Sequence, residues 1–356
     1  MQPVGVGIIG CGNVLRRYMA TKFPAMKIVS CFDQNPDRAR RASDQYGFSS
    51  VPSAECLLAD PAVEIVLNLT PPSVHASVSL AAARAGKHVY SEKPLGVSRE
   101  EGAAVLQAAC DRGVRVGCAP DSFLSDGMQT ARSLIDEGAI GRPVGFTAFM
   151  LEPGHEYWHP DPEIFYQPGG GPMFDMGPYY LTALVTLLGQ PARVFGLTTT
   201  SAGERTVRSQ ARSGQTIPVL TPDHVTGIIE FEQGATGAIM TSFAAWHSPH
   251  PPLTIFGTEG TLAVPDPNRF DGGVQLSRRD QAWSDVPPRT ATGHGRGIGL
   301  AEMAVAIRSG RPHRASGELA FCVLDMIQGF YDSCASGVAH RPVPCPSPEV
   351  MRRLEV

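Results

Sequence analysis

The sequence predicts an α/β protein: a doubly wound parallel sheet, followed by a second α/β domain with a large, mostly antiparallel open sheet. Two observations predict this fold class. In the first third of the chain, apolar β-like runs alternate with helical segments, which is typical of a parallel sheet covered by helices. From Pro143 onward, β-like runs follow one another with turn residues such as Glu232-Gln233-Gly234 between them, which is typical of hairpins. A chain of 356 residues has room for two domains, and we expect them at 1–122 and 123–356.

The predicted elements follow from apolar periodicity and from capping and stop signals. In the first half we expect strands at 4–9, 27–32, 64–69, 88–91 and 114–118, and helices at 38–45, 54–58, 74–85 and 99–112. Ser73 is the expected N-cap of the third of these helices, and Ser98 with Glu101 is a capping-box signature for the fourth. In the second half we expect a connecting helix at 123–137, strands at 144–151, 193–200, 225–231, 235–243, 253–256 and 260–264, and helices at 298–309 and 318–335.

The opening stretch VGVGIIGCGNVLR, residues 4–16, combines a buried strand, a glycine-rich turn and the start of a helix. The glycines allow a sharp turn and a close approach of the backbone to a bulky group. Free N–H groups and the positive end of the helix favour a pyrophosphate at this point. Leu15 replaces the third glycine of the usual fingerprint, so the alternative is an ordinary strand–helix turn. The candidate cofactor-binding residues here are Gly10, Cys11, Gly12, Asn13 and Val14.

An acidic residue follows the second predicted strand. Asp33 lies about 20 residues after the glycines, where a carboxylate hydrogen-bonds the adenine ribose hydroxyls of a dinucleotide. A carboxylate repels a ribose 2′-phosphate, so the sequence favours NAD over NADP. Arg38, in the next helix, keeps NADP open, and the alternative for Asp33 is a surface acid.

The carboxyl ends of the predicted parallel strands meet along one edge, where ligands bind in such sheets. Five strand ends therefore converge on one crevice. The candidates for cofactor contact there, besides the glycine turn and Asp33, are Thr70, Pro71, Pro72, His75, Glu92 and Lys93.

Three segments, GIIGCGNV, NLTPPSVH and EKPL, together resemble the Gfo/Idh/MocA family of nicotinamide-dependent oxidoreductases. The resemblance implies that Lys93, in the Glu-Lys-Pro after the fourth strand, lies by the nicotinamide and the substrate hydroxyl. A partly desolvated lysine beside a positive charge loses its proton more easily and can help to remove the alcohol proton. The alternative for Lys93 is a surface lysine after a strand. The resemblance also implies that the open face of the second sheet packs in an oligomer, a homodimer or homotetramer.

A second chemical stretch, GGGPMFDMGPYYLTALVTLL, covers residues 169–188 and reads as glycines leading into a helix with Asp175 near its start. In the family that the chain resembles, the pattern here is Asp-x-Gly-x-His, with both end residues next to the substrate. Asp175 and Gly177 match, but Tyr179 stands at the histidine position. The resemblance implies a catalytic tyrosine, with Lys93 stabilising its phenolate. Tyr180 points elsewhere around the helix and ranks lower, and the alternative is that Tyr179 packs and Asp175 interacts with the helix dipole.

The loop PGHEYWHP, residues 153–160, is dense in histidine and aromatic residues, a composition that suits a sugar. His155 and His159 are reserve acid–base candidates. The candidate substrate-binding residues are His155, Trp158, His159, Asp175 and Tyr180, and the alternative is a solvent loop with incidental aromatics.

Composition excludes several other classes of protein. The net charge of −4 has no basic concentration for nucleic acid, and no apolar run is long enough to span a membrane. Because the first predicted strand begins at Val4, we expect no signal peptide. The eight cysteines form no C-x-x-C pair and no zinc-ligand spacing, so we expect reduced thiols, no metal and a cytoplasmic location.

The sequence therefore predicts an NAD-dependent oxidoreductase that acts on a secondary alcohol of a sugar, cyclitol or related polyol. In this prediction Tyr179 exchanges the hydroxyl proton with the substrate, Lys93 stabilises the Tyr179 phenolate, and Asp175 holds the substrate in place. Two alternatives stay open: a glycoside hydrolase or lyase that uses NAD in an internal redox cycle, and a non-enzymatic NAD-binding regulator.

Overall fold

A computed structural model describes residues 2–289 and 292–347. These residues form two compact units, one of 2–125 with 292–324, the other of 126–289 with 325–347. The first unit is thus built from two stretches of chain, because the sequence of the second unit interrupts it. The predicted domains at 1–122 and 123–356 stay a prediction, and residues 290–291 and 348–356 of the second lie outside the described residues.

The first unit contains a six-stranded parallel sheet with the order β3-β2-β1-β4-β5-β6. Its strands are β1 (Val4–Ile9), β2 (Met26–Phe32), β3 (Ser49–Ser50), β4 (Ile65–Asn68), β5 (His88–Ser91) and β6 (Val116–Cys118). β1 and β4 are buried along their whole length, as expected for central strands covered on both faces. The strand order reverses between β1 and β4, and ligands bind at such a switch point in doubly wound sheets. The predicted parallel sheet is confirmed.

The second unit contains a mixed, mostly antiparallel sheet of eight strands in the order β16-β15-β14-β13-β7-β12-β11-β8. Only the β12–β7 pairing is parallel among the neighbours of this sheet in the described residues. The strands of the unit are β7 (Pro143–Leu151), β8 (Pro191–Thr199), β9 (Glu204–Thr206), β10 (Thr216–Pro218), β11 (His224–Phe231), β12 (Thr236–Ser242), β13 (Leu253–Gly257), β14 (Gly260–Val264), β15 (Val274–Arg278) and β16 (Ser284–Val286). β9 and β10 form a separate ribbon. The predicted mostly antiparallel sheet is confirmed.

The helices lie close to the predicted positions. They are α1 (Leu15–Tyr18), α2 (Pro36–Tyr46), α3 (Ala54–Ala59), α4 (His75–Arg84), α5 (Arg99–Arg112), α6 (Asp126–Asp136), α7 (Gly171–Asp175), α8 (Gly177–Leu188), α9 (Ile298–Ser309) and α10 (Gly317–Ser336). Short 3-10 helices lie at Pro72–Val74, Ser122–Leu124, His155–Tyr157, Pro162–Phe165 and Gln210–Arg212. The Glu101 amide donates to the Ser98 hydroxyl, as the predicted cap requires. The predicted Ser73 cap is wrong, because a 3-10 turn occupies Pro72–Val74 and α4 begins after Val74 without a side-chain cap.

The stretch around Asp175 forms two helices where one helix was expected. Asp175 is the last residue of α7, and α8 begins at Gly177 with Pro178 in its first turn. Proline fits the first turn of a helix but disrupts a helix interior, so one helix ends and another begins just before Pro178. The expectation that Asp175 lies near the start of the helix is therefore wrong.

One face of the eight-stranded sheet packs against α10, and two glycines shape the contact. Gly196 of β8 pairs with Gly227 of β11, and a Cβ atom at either position would lie within 2.7 Å of Phe330. The missing side chains thus make room for Phe330, whose backbone lies against Gly196 and whose ring lies against Gly227. Leu197 and Ile228, the next residues along these strands, are more than half exposed.

The expected reduced state of the cysteines holds for six of them. Free thiols are present at Cys11, Cys31, Cys56, Cys110, Cys118 and Cys334. The expectation is wrong for Cys322 and Cys345, which are disulfide-bonded. Within the described residues, no helix has the length and apolar character to cross a membrane.

Candidate active site

The glycine turn after β1 has the geometry that its sequence predicts. Gly10 has φ of 97°, and a Cβ atom there would lie 2.7 Å from the backbone of Leu69. Glycine is therefore required at this position on two counts. A Cβ atom at Gly12 would meet nothing within 4 Å, so the absence of a side chain leaves open space over the backbone. The following helix, α1, has four residues, so an anion here would be bound mainly by the N–H groups of the turn rather than by a long helix dipole.

Asp33 is tied to this turn across the sheet edge. One of its carboxylate oxygens accepts a 2.8 Å hydrogen bond from the Cys11 amide, and the other accepts one of 2.8 Å from the Asn35 amide. A carboxylate has further lone pairs, so these two hydrogen bonds orient the Asp33 side chain and leave acceptor sites for ribose hydroxyls. Arg38 is exposed in the first turn of α2.

Side chains of β4 and α4 hold the loop that follows β4 by hydrogen bonds. The Thr70 hydroxyl donates to the Asn68 side chain at 2.6 Å, and the buried ring of His75 contacts the carbonyls of Thr70 and Pro94, both at 2.7 Å. Burial lowers the pKa of His75, and a neutral ring can donate to one of these carbonyls only. His75 thus connects two strand ends, and a contact with the cofactor stays a prediction. Pro71 is exposed and Pro72 half-buried on the same loop.

Glu92, at the end of β5, is an almost fully buried carboxylate. It accepts hydrogen bonds from the Tyr18 hydroxyl (2.9 Å), from the Arg296 guanidinium (3.0 Å) and from the amide of Lys93 (3.1 Å). Burial opposes its ionisation, but the charges of Arg296 and Lys93 outweigh it and place the pKa of Glu92 below the usual 4.5. Lys93 itself is half-buried, and this network fixes its backbone.

Asp121 lies just after β6, at the same carboxyl-end edge of the parallel sheet. One oxygen of its buried carboxylate accepts hydrogen bonds from the amides of Gly297 (2.8 Å) and Gly299 (3.0 Å) at the start of α9. Burial raises the pKa of Asp121. Sequence reasoning missed Tyr18, Arg296 and this role of Asp121, because their partners are far away in sequence.

The first unit therefore fits a dinucleotide. Gly10 makes the tight turn, Gly12 leaves its backbone open, and Asp33 follows the neighbouring strand. These three positions match the turn, the pyrophosphate approach and the ribose acid of a dinucleotide-binding sheet.

The second unit brings two of the predicted substrate residues together. His155 Nε2 and Asp175 Oδ2 lie 2.9 Å apart, and both side chains are largely buried. The other ring nitrogen of His155, Nδ1, is buried and has no hydrogen-bond partner among the described residues. Because an ionised carboxylate only accepts, Nε2 carries the proton and Nδ1 is left as an acceptor when the ring is neutral.

Aromatic rings surround His155. Its ring centroid lies 3.9 Å from that of Phe165, 4.6 Å from that of Phe243 and 5.2 Å from that of Trp158. Trp158 is 63% exposed and so offers a large apolar surface beside the pair. His159 Nδ1 accepts from the Asp161 amide at 3.0 Å, and burial lowers the pKa of His159.

Two carboxylates that the sequence did not single out lie near this pair. Glu152 interacts electrostatically with His155, Asp175 and Asp266, and desolvation raises its pKa, as do the two aspartates, while His155 lowers it. Asp266 accepts a long hydrogen bond, 3.4 Å, from the Tyr180 hydroxyl. Only the fold shows that Asp266, just after β14, joins this cluster.

The two tyrosines of α8 differ in what surrounds them. Burial, together with Asp266, raises the pKa of Tyr180, so its phenol gives up a proton less readily than usual. Tyr179 is buried in the first turn of α8, and its predicted role in proton transfer stays a prediction. No group of three or more potential metal ligands occurs in the described part of the chain.

Comparison with known proteins adds independent information. A family model described as "Oxidoreductase family, NAD-binding Rossmann fold" matches residues 4–119, and one described as "GFO/IDH/MocA C-terminal domain" matches residues 128–263. These matches confirm the family resemblance, the fold class and the nicotinamide cofactor that the sequence predicts.

Two similar proteins are named for sugar derivatives. Levoglucosan dehydrogenase of Pseudarthrobacter phenanthrenivorans is 28% identical over 292 residues, which cover 74% of this chain and 73% of that protein. The 1,5-anhydro-D-fructose reductase of Ensifer adhaerens is 29% identical over 264 residues, covering 72% and 74%. A solved structure of levoglucosan dehydrogenase in complex with NADH and L-sorbose has a TM-score of 0.81 and 26% identity, covering 97% of this chain and 100% of that one.

Proposed function

We propose that this chain, which belongs to the Gfo/Idh/MocA family of oxidoreductases, interconverts a secondary alcohol and a ketone of a sugar, cyclitol or related polyol. The observation that carries the alcohol chemistry is the His155–Asp175 pair, with an acceptor nitrogen enclosed by aromatic rings. The sugar-type names of the similar proteins support the substrate class.

The proposed reaction separates a hydride from a proton. NAD, when bound, supplies the acceptor for the hydride that leaves the carbinol carbon. The hydroxyl proton goes to Nδ1 of His155, whose partner Asp175 holds the ring in orientation and stabilises the imidazolium that forms. Trp158 and Phe165 exclude water from one side of the ring, and exposed Trp158 offers a face to the C–H side of a sugar.

His155 and Tyr179 compete for the role of proton acceptor. A histidine changes charge near neutral pH, whereas a phenol needs strong stabilisation of its anion. His155 has a visible orienting partner in Asp175, and we therefore assign it the proton transfer. Tyr179, which the sequence favoured, is the second candidate, and Tyr180 is the weakest because its pKa is raised.

These assignments are separated by substitution. We expect His155→Phe to lower kcat about 10²–10⁴-fold, the usual contribution of general acid–base catalysis. We expect Tyr179→Phe to lower kcat less than His155→Phe does. A larger loss of kcat in Tyr179→Phe than in His155→Phe would contradict the assignment.

Lys93 keeps the role that the family resemblance implies, a hydrogen bond to the substrate hydroxyl. Glu92 fixes its backbone, which supports a positioned lysine over a solvated one. The first experiment is to follow NADH formation by purified protein with NAD and a panel of sugars, cyclitols and dihydrodiols. Lys93→Met is run beside Lys27→Met, a lysine on β2 far from the carboxyl end of its strand.

The outcomes of that experiment distinguish the alternatives. Oxidation by wild type and Lys27→Met, but not by Lys93→Met, supports the proposal. Product without net NADH, from cofactor retained through purification, would indicate the internal redox cycle. NAD binding with no turnover in either direction and a protein partner in place of a substrate would indicate a regulator.

The oligomer and the cellular location are further proposals. Leu197, Ile228 and Phe256 leave apolar surface on the strands of the eight-stranded sheet, which supports burial of that face in a homodimer or homotetramer. Light scattering on wild type and Ile228→Glu tests this, because the charged variant is expected to dissociate. The proposed location is the cytoplasm, and the six free thiols support it, since thiols stay reduced there. The disulfide-bonded Cys322 and Cys345 are instead typical of an oxidising compartment.

A further inference from the structure

A pocket of about 340 Å³ lies next to the His155 ring within the second unit. We call it the side pocket; it is lined by Glu156, Tyr157, Arg205, Arg208, Phe243 and Trp246, among others. Its volume is at the lower end of the range for small-molecule sites, about 300–1,000 Å³. It can therefore take a group of roughly one ring.

The side pocket is adjacent to the candidate active site. Phe243 lines the pocket and also packs on the ring of His155, with ring centroids 4.6 Å apart. The 3-10 helix His155–Tyr157 contributes to both: His155 contacts Asp175, while Glu156 and Tyr157 line the pocket. The pocket and the His155 ring are thus neighbours on the two sides of Phe243.

The base of the side pocket is rigid. Arg205 bridges two buried carboxylates, Glu156 at 2.8 Å and Asp223 at 2.7 Å. The Tyr166 hydroxyl donates to the other oxygen of Glu156, and the Arg205 guanidinium lies 5.5 Å from the Tyr166 ring. Such a network is prearranged before any ligand arrives, which lowers the cost of binding.

The walls of the side pocket are aromatic and exposed. The rings of Tyr157 and Trp246 meet edge to face with centroids 5.3 Å apart, and Trp246 is 64% exposed. The Arg208 guanidinium lies 5.6 Å from the centre of the Tyr157 ring. Aromatic faces with polar groups beside them suit a pyranose ring, which has apolar C–H faces and hydroxyl edges.

The charges of the side pocket favour a neutral ligand. Arg205 and Arg208 line it together with Glu156 and Glu204, so two positive side chains face two negative ones. Arg205 is in addition neutralised by Asp223. A phosphate or carboxylate would therefore find no excess of positive charge, whereas hydroxyl groups find donors and acceptors.

We propose that the side pocket binds a second, neutral sugar ring, so that the substrate is a disaccharide or a glycoside rather than a monosaccharide. This inference rests on the proposed function, because it places the ring next to the one that is oxidised. Trp246 and Tyr157 stack on the second ring, and Arg208 with Glu204 bonds its hydroxyls.

The test compares matched substrates in three proteins. NADH formation is measured for glucose, galactose and their methyl glycosides, and for maltose, cellobiose, lactose and trehalose. Full-length wild type is run beside Trp246→Ala and beside Trp283→Ala, which removes another half-exposed tryptophan that does not line the side pocket. Calorimetric titration of each disaccharide into each protein, with NAD present, gives a readout that does not need turnover.

We expect wild type to prefer a disaccharide over the monosaccharide and its methyl glycoside, and Trp246→Ala to lose about tenfold in kcat/KM for the disaccharide, the size of one good aromatic contact. Monosaccharide turnover changes less than about twofold in Trp246→Ala, and Trp283→Ala matches wild type throughout. Equal turnover of single and double sugars in wild type, or equal loss of both in Trp246→Ala, overturns the pocket while the proposed function stands. If no sugar is oxidised, the proposed function fails, and calorimetric binding that depends on Trp246 then decides the pocket alone.

Discussion

The Nε2 atom of His155 and the Oδ2 atom of Asp175 lie 2.9 Å apart, although the two residues belong to different elements of the second unit. The carboxylate fixes which ring nitrogen carries the proton, and it leaves Nδ1 as the acceptor. The pair thus orients the ring of His155, a residue of the 3-10 helix His155–Tyr157, as the proposed proton transfer requires. In the family pattern that the chain resembles, a histidine stands where this chain has Tyr179.

Asp175→Asn tests the orientation directly. The amide can turn its NH₂ group toward Nε2 and so stabilise the other tautomer, which leaves no acceptor at Nδ1. We expect kcat to fall about 10–100-fold, the usual cost of removing a group that orients a histidine, with NADH affinity unchanged. Asp111→Asn, on the exposed side of α5, is the matched control. Wild-type kcat in Asp175→Asn would remove the carboxylate from the mechanism.

Glu92→Gln tests the buried ion pair with Arg296. The substitution removes the carboxylate that pairs with the buried Arg296, and breaking a buried ion pair costs about 3–5 kcal/mol of unfolding free energy at neutral pH. Because the folded-state pKa of Glu92 is lowered, its stabilisation is present above the usual value of 4.5 and is lost as the pH falls through the folded-state pKa.

The measurement is denaturant unfolding of wild type, Glu92→Gln and the exposed Glu232→Gln at a series of pH values from neutral to acid. The difference between wild type and Glu92→Gln is expected to shrink as the pH falls, while Glu232→Gln follows wild type. A difference that stays constant into acid would show that Glu92 is not ionised in the folded protein.

Alanine substitutions at the two glycines of the turn after β1 are expected to affect stability and cofactor binding in opposite ways. Gly10→Ala places a Cβ atom 2.7 Å from the Leu69 backbone at a φ of 97°, so we expect a loss of about 1–3 kcal/mol of stability. Gly12→Ala meets nothing within 4 Å in the protein, so its stability is expected to stay within about 0.5 kcal/mol. Its methyl group occupies the space left for the cofactor, and NADH affinity is expected to fall by about 1–3 kcal/mol. Thermal unfolding and NADH titration of both variants check this, and a stable Gly12→Ala with full NADH affinity would contradict it.

Asp33→Ala tests the choice between the two nicotinamide cofactors. The variant loses charge-assisted hydrogen bonds to the ribose, so kcat/KM for NAD is expected to fall about 10–100-fold. Removal of the negative charge lets Arg38 act on a 2′-phosphate, so kcat/KM for NADP is expected to rise. Asp44→Ala, further along α2, is the control. Equal losses for the two cofactors would mean that Asp33 acts through the Cys11 and Asn35 amides alone.

The sequence predicts well the features that local physics decides. The strand ends at Gly10, Asp33 and Glu92 follow from apolar runs that stop at turn residues, and the parallel sheet follows from their alternation with helices. Pro178 also indicates the break between α7 and α8, because proline suits the start of a helix and not its interior. The apolar residues on both sides of Pro178 favoured the prediction of one continuous helix instead.

Features that depend on distant partners were not predictable from one sequence. Arg296 is separated from Glu92 by 204 residues, and nothing around Arg296 marks it as a buried cation. Glu152 follows β7 and Asp266 follows β14, two strands that β13 separates in the sheet, so only the folded chain shows that both carboxylates join the His155 cluster. The strands β15 (VQLSR) and β16 (SDV) were not predicted, because with two apolar residues and one they are too short to identify a strand by its alternation.

The contacts of Glu92 and Asp121 set an order of events during synthesis. Asp121 is translated 176 residues before Gly297, whose amide it binds, and Glu92 waits even longer for Arg296. At about 5–20 residues per second, the first unit spends tens of seconds on the ribosome with two acidic groups that lack their partners. The first unit is therefore completed late, although its sheet is made first, and nascent chains released before α9 would be clients for chaperones.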